Sequence, residues 1–146
     1  MNRSGYIDDC DDELETGRWR AQVASAIRGK RGQTFLRDLA VALDAMPVKE
    51  LIAEELITED GDVCAIGAVC KHRGLNVSNI DPEDPESVGK AVGIAYQLAA
   101  EIAYQNDEQG DRYEYVKGRC EVVSESPAER WTRMRTWVGE QIKGPK

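Results

Sequence analysis

No run of apolar residues in this chain approaches the ~20 that a membrane-crossing helix needs. The string Met1–Tyr6 also lacks the apolar stretch of a secretion signal, so a cytoplasmic protein is expected. Aromatic side chains are few, at 6%, although an apolar content of 41% suffices for a core. Histidine is nearly missing. The single one, His72, stands between Lys71 and Arg73 near an expected helix end, a place for capping and solvation rather than for a general base. Closely spaced cysteine pairs are missing too. Zinc sites draw ligands from pairs such as Cys-x₂₋₄-Cys, whereas Cys64 and Cys70 would not share a helix face, and Cys120 lies far from His72. No metal site, cofactor or catalytic set is therefore assigned. Cys10, Cys64, Cys70 and Cys120 read as free thiols of a reducing compartment, with Cys64 and Cys70 as small buried hydrophobes.

An excess of positive charge is absent as well. The net charge of −8 excludes a generic coat for nucleic acid, which would repel it. The charge is, however, sorted into blocks. Asp8, Asp9, Asp11, Asp12, Glu13 and Glu15 crowd the first sixteen residues against Arg3 alone. Arg18, Arg20, Arg28, Lys30, Arg31 and Arg37 follow with no acid among them. Residues 48–62 are acidic again, with Glu50, Glu54, Glu55, Glu59, Asp60 and Asp62 against Lys49 alone. Patches of both signs suit specific docking better than diffuse attraction.

Length and patterning give a mainly α protein, a single compact bundle of about five or six helices with room for one small β-hairpin near residues 113–123. Residues 1–16, polar and aperiodic, read as a mobile acidic arm, and residues 17–146 as one helical domain. Trp19, Val23 and Ile27 mark a first helix stopped by Gly29. Phe35, Leu36, Leu39 and Leu43 mark a second, from about Gln33 to Ala45, ended by Pro47. Leu51, Ile52, Leu56 and Ile57 read as a short helix over Lys49–Ile57. Val63–Arg73 reads as a buried helix closed by Gly74. Asp84 and Pro85 open an amphipathic segment through Asn106 that Gly89 and Gly93 kink or split. Ser126-Pro127-Ala128-Glu129 is a capping box that starts a final helix, with Trp131, Met134, Val138 and Ile142 inward and Arg130, Arg133 and Arg135 on its polar side.

The best binding candidate is Arg28-Gly29-Lys30-Arg31-Gly32-Gln33-Thr34, with Arg37 one turn on. Glycines that free a turn, flanking cations and a following helix N-terminus favour an anion or an acidic partner. The spacing is not that of a Walker A loop, and a glycine-closed turn with solvated cations is the plain counterpart. A helix-turn-helix reader is a further alternative, with Gln33, Thr34 and Arg37 facing base edges. The acids at Glu50, Glu54, Glu55, Glu59, Asp60 and Asp62 read either as a solvated face or as a docking surface that mimics phosphates. An enzyme reading would enlist Asn106, Asp107 and a thiol.

Several strings together resemble a family of small proteins encoded by tailed bacteriophages and prophages of proteobacteria. They are Met1–Tyr6; Trp19-Arg20 leading to Val23–Gln33; Ala42–Pro47; Val63–Ala68; Asp81–Asp84; Asn106-Asp107-Glu108; and Pro127–Arg135. Cys70 and His72 depart from that pattern, and the stretch Asp111–Val123 is longer than it. The resemblance supplies no catalytic residues. It implies a phage genome, the cytoplasm of a bacterial host, and an accessory role. The expected function is inhibition of an antiviral defence system, anti-CRISPR-like or related, by binding a host protein or protein–nucleic-acid complex. A nucleotide-signal sponge, a DNA-binding phage regulator and a homodimer stay open beside it, and no membrane partner is expected.

Overall fold

The computed structural model describes residues 3–6 and 13–143. Within them run α1 (Glu13–Arg28), α2 (Lys30–Ala45), α3 (Ala65–Arg73), α4 (Pro85–Val92) and α5 (Tyr96–Glu108). The antiparallel strands β1 (Arg112–Val116) and β2 (Arg119–Val123) follow, and then α6 (Pro127–Gln141). The expected helical bundle with one hairpin is the architecture found.

Local chemistry explains most of the boundaries. The Ser126 hydroxyl accepts from the Glu129 N–H at 3.1 Å while the Glu129 carboxylate accepts from the Ser126 N–H at 3.1 Å, closing the capping box that launches α6. Asp84 caps α4 in front of Pro85, whose missing donor costs nothing at that position. Gly74 and Gly93 take left-handed conformations that end α3 and α4, so the segment from Pro85 is split in two at Gly93 rather than kinked at Gly89. Lys117 and Gly118 both have positive φ, the requirement of a two-residue turn matched to the twist of a hairpin.

The core is largely aliphatic around one buried aromatic ring, Phe35. Phe35, Leu36, Leu39 and Leu43 of α2 meet Ile66 and Val69 of α3, Val88 and Val92 of α4, Leu98 and Ile102 of α5, and Met134 and Val138 of α6. Each such side chain, removed from water, contributes ~1.5–3 kcal/mol. Helix α2 packs against α1, α3 and α6, and so lies at the centre of the arrangement. No helix among the described residues is long and apolar enough to cross a membrane.

Four expectations need correction. Helix α1 begins at Glu13 and α2 at Lys30, earlier than the apolar stripes that mark them, because helix continues through polar residues wherever nothing stops it. The arm expected at residues 1–16 is otherwise arranged where it is described: Arg3 and Ser4 are buried, and residues 13–16 are helical. Its Asp8, Asp9, Asp11 and Asp12 lie outside the described residues, as does Cys10. The segment Lys49–Ile57 is not a helix. Leu51 N–H donates to the Pro127 carbonyl (3.0 Å), Ile52 N–H to Val63 (2.9 Å), and Ile57 bridges Val63, while Glu54 has φ 70°. Partners distant in sequence take its backbone groups, and that competition defeats the local helical pattern. Finally, Arg130 and Arg133 leave the polar side of α6 and turn inward, for reasons given below.

Candidate functional site

The predicted basic segment forms the corner between α1 and α2. Gly29 alone separates the two helices, and its N–H donates to Ser25 at 3.0 Å. Gly32 faces the carbonyl of Ala26 so closely that any Cβ would collide with that backbone. Gln33 is buried. Its amide donates to the carbonyls of Ile27 (2.7 Å) and Gln141 (3.1 Å), and its oxygen accepts from the Lys143 N–H at 2.9 Å. Gly32 and Gln33 are thus the fastening of the corner, which ties α1, α2 and the end of α6 together.

The remaining residues of the segment point outward. Arg28, Lys30, Arg31, Thr34 and Arg37 are exposed, and among the described residues no carboxylate pairs with Arg28, Lys30 or Arg31. Arg37 donates to the carbonyl of Lys143 at 3.2 Å. The first turn of α2 carries no acid and no side-chain cap, so Lys30 and Arg31 add charge to the positive end of the helix dipole. Arg31, Thr34, Arg37 and Val41 follow one another along the solvent face of α2. Val41 is an exposed apolar side chain on that face, and Val48, just past the end of the helix, is another. A recognition helix over Gln33–Leu43 would lack its first reader, because Gln33 is spent inside the protein.

The acidic candidates lie beyond the other end of α2. Sixteen residues at 1.5 Å rise make α2 about 24 Å long. Glu50, Glu54, Glu55, Glu59, Asp60 and Asp62 are all exposed on the loop that follows, and none forms an ion pair among the described residues. A tight turn holds part of this loop, with Thr58 N–H donating to Asp62 O at 2.9 Å and Asp62 N–H to Thr58 Oγ1 at 3.1 Å. The two predicted patches are therefore separate poles, not one surface.

A third assembly was not foreseen. Arg3, 2% exposed, grips Asp107 with Nε on Oδ2 (2.6 Å) and Nη2 on Oδ1 (2.8 Å), and its Nη1 donates to Glu55 O (3.2 Å) and Cys64 Sγ (3.3 Å). Asp107 also accepts from the amide of Asn106 (2.8 Å) and from Glu54 N–H (3.2 Å), which holds Glu54 in its left-handed conformation. Asn106 accepts from Ala65 N–H at 3.1 Å and donates to Ile52 O at 2.9 Å. Arg130 and Arg133 both donate to the Asn106 carbonyl, at 3.1 and 3.2 Å, and both pair with buried Glu125, at 3.3 and 2.6 Å. On the far side, Ser4 donates to Glu108 (2.8 Å), Tyr6 to Glu101 (3.0 Å), and Trp19 to the Tyr6 hydroxyl (2.8 Å). Arg20 binds both oxygens of Glu101, at 2.9 and 2.7 Å.

This spine shifts the ionisation of its members. Burial pushes the Glu101 carboxyl up, but the bonds and charge of Arg20 and the Tyr6 hydroxyl outweigh it and hold the group below its ordinary value. Burial also raises the Tyr6 hydroxyl well above its ordinary range. The residues of the enzyme reading do meet here: Arg3 joins Cys64 to Asp107, and Asn106 donates to Asp107. No buried polar side-chain atom in the described residues is left without a partner. The cavity beside Arg3 is about 10 Å³, room for a single water.

The cysteine and histidine placements are simple. Cys64 and Cys70 are buried and Cys120 is exposed on β2. Burial pushes the Cys70 thiol up to about 11. His72 is exposed. Among the described residues no group of three or more histidine, cysteine or acidic side chains is placed to hold a metal ion.

Sequence reasoning missed the spine because its arginines look like surface residues. The available signal was the set of strings that carried the resemblance. Met1–Tyr6, Trp19-Arg20, Val63–Ala68, Asn106-Asp107-Glu108 and Pro127–Arg135 each supply residues to this one assembly. Comparison with protein-family models, with curated proteins and with solved structures gives no match.

Proposed function

We propose that this chain is a phage accessory protein that inhibits a bacterial antiviral defence system, anti-CRISPR-like or related, by docking on a host protein or protein–nucleic-acid complex. The phage setting and the host cytoplasm are supported by the resemblance of its strings. The docking mode is supported by one observation. Arg28, Lys30 and Arg31 stand exposed without a carboxylate partner among the described residues, whereas Arg3, Arg20, Arg73, Arg112, Arg130, Arg133 and Arg135 are each held by one. Cations fixed on a rigid corner suit an acidic groove or a phosphate backbone. Exposed Val41 adds apolar contact further along the same helix and exposed Val48 lies just past its end, and the acidic loop offers a second pole for a basic partner. The Cys64–Arg3–Asp107–Asn106 cluster spends its bonding capacity on itself, which supports a structural role for it.

The test is capture of one stoichiometric partner from proteobacterial host lysate by the tagged chain and by Lys30→Glu/Arg31→Glu. The wild type retains the partner and the variant releases it; equal capture by both removes the basic corner from the mechanism. Acids at the positive end of α2 favour the helix by ~0.3–1 kcal/mol each, so the variant keeps its fold. A second reading, a phosphorylated small ligand held at Gly29–Thr34, is favoured by the uncapped, acid-free first turn of α2. A thermal-shift series with nucleotides checks it, and a flat response dismisses it.

A further inference from the structure

The hairpin is the part of the molecule that the fold leaves unused. Every residue of β1 and β2 is exposed except Val123, which is half-buried. Tyr113 is 74% exposed and Tyr115 82%. Among the described residues no backbone hydrogen bond joins the hairpin to the rest of the protein. An isolated two-stranded hairpin is marginally stable in water. Both of its edges present unpaired backbone groups to solvent.

The register sorts its side chains into two faces. Tyr113 opposes Val122 and Tyr115 opposes Cys120, so one face holds two tyrosines, a valine and a cysteine, with no charge. Glu114 opposes Glu121 on the other face, where Arg112 bonds Glu114 at 3.1 Å and Glu129 at 3.1 Å. Arg112 and Arg119 balance Glu114 and Glu121 within the strands. This neutrality matters in a chain of net charge −8, whose copies repel one another over most of their surface.

We propose that β1 joins two copies of this chain, its outer edge pairing antiparallel with β1 of the second copy about Glu114. That register sets Tyr113 of each copy opposite Tyr115 of the other, two cross-strand aromatic pairs on the uncharged face. On the charged face the two directly opposed Glu114 side chains repel, a cost that Arg112 of each copy, diagonal to the other's Glu114, offsets. The equivalent pairing through β2 would oppose only Cys120 and Val122, so β1 is the edge with more to gain. The result is a four-stranded sheet around a two-fold axis. Its interface falls at the small end, under ~1,200 Å², so association depends on concentration. The inference is independent of the basic corner, which lies on α1 and α2.

The experiment uses the full chain in sedimentation velocity from micromolar to millimolar concentration. The wild type shifts from monomer to dimer, and Tyr113→Lys/Tyr115→Lys weakens that association at least about tenfold. With Cys10→Ser and Cys120→Ser as background, Glu114→Cys forms an intermolecular disulfide under mild oxidation, because directly opposed strand positions lie within disulfide reach. Glu121→Cys in the same background does not. A wild type that stays monomeric, or a dimer that survives the lysine substitutions, overturns the proposal. So does a dimer in which position 121 cross-links in place of 114. Tryptophan fluorescence verifies that each variant keeps its fold, as expected for substitutions at exposed strand positions.

Discussion

Replacing Asp107 with asparagine tests the spine where it is most heavily used. The side chains of Arg3 and Asp107 are 2% and 5% exposed, and the aspartate accepts both prongs of the guanidinium. Breaking a buried ion pair from one side costs ~3–5 kcal/mol. Asparagine keeps the shape and one oxygen for Asn106 and Glu54, and Arg3 keeps Glu55 O and Cys64 Sγ, which argues for the lower end of that range. The chain has an escape route that sets a ceiling. The segment from Arg3 to Tyr6 can lift away and return its charge to water, at the loss of the Arg3 bonds to Glu55 O and Cys64 Sγ and of the Ser4–Glu108, Tyr6–Glu101 and Trp19–Tyr6 bonds. Five such bonds at ~1 kcal/mol each give about 5 kcal/mol. The expected destabilisation is therefore about 3 kcal/mol, below that ceiling, or roughly 10 °C in Tm for a chain of this size. Urea unfolding followed by tryptophan fluorescence measures it, and a double-mutant cycle with Arg3→Gln isolates the pair. Additivity of the two single changes within ~0.5 kcal/mol would refute the reasoning, since it would mean that the two residues do not act on one another.

Three further outcomes are expected. Gly32→Ala forces a methyl group into the Ala26 carbonyl and should destabilise by ~1–3 kcal/mol, read as a lower urea midpoint at unchanged slope. Because the Glu101 carboxyl is held below its ordinary value in the folded state, its contribution is complete above the unfolded value of roughly 4.3 and is lost as pH falls through the lower folded value. Arg20→Gln should flatten that acid limb, and a limb of unchanged steepness would assign it to other carboxylates. Alkylation mapped by mass spectrometry should modify Cys120 readily in the native protein, while Cys70, buried and raised to about 11, reacts only on unfolding.

The parts of the fold that were legible in the sequence carry their cause within a few residues. Ser126 and Glu129 cap one another three positions apart, Asp84 precedes Pro85, Gly74 and Gly93 supply the left-handed stops, and the stripe from Phe35 to Leu43 is buried as its spacing requires. The illegible parts have causes at long range. Lys49–Ile57 has helical spacing, yet its backbone is claimed by Val63, Asp107 and Pro127. Arg130 and Arg133 look like the wet side of α6 because nothing nearby shows that Glu125 is buried against them or that the carbonyl of Asn106 waits there. The basic segment was half readable. Glycines and cations announced a turn, but not that Gly32 and Gln33 would be its inward half and Arg28, Lys30 and Arg31 its outward half.

The hairpin's attachment has a consequence for how this protein could vary. Gly110, just before β1, lies with its bare Cα against the carboxylate of Glu125, just after β2, so the chain leaves and re-enters the body at a single point. A stretch tethered in that way is a detachable tab. It can be shortened, lengthened or exchanged without retuning the helices beneath it, so a lineage could change its company at this tab while its skeleton stays as it was.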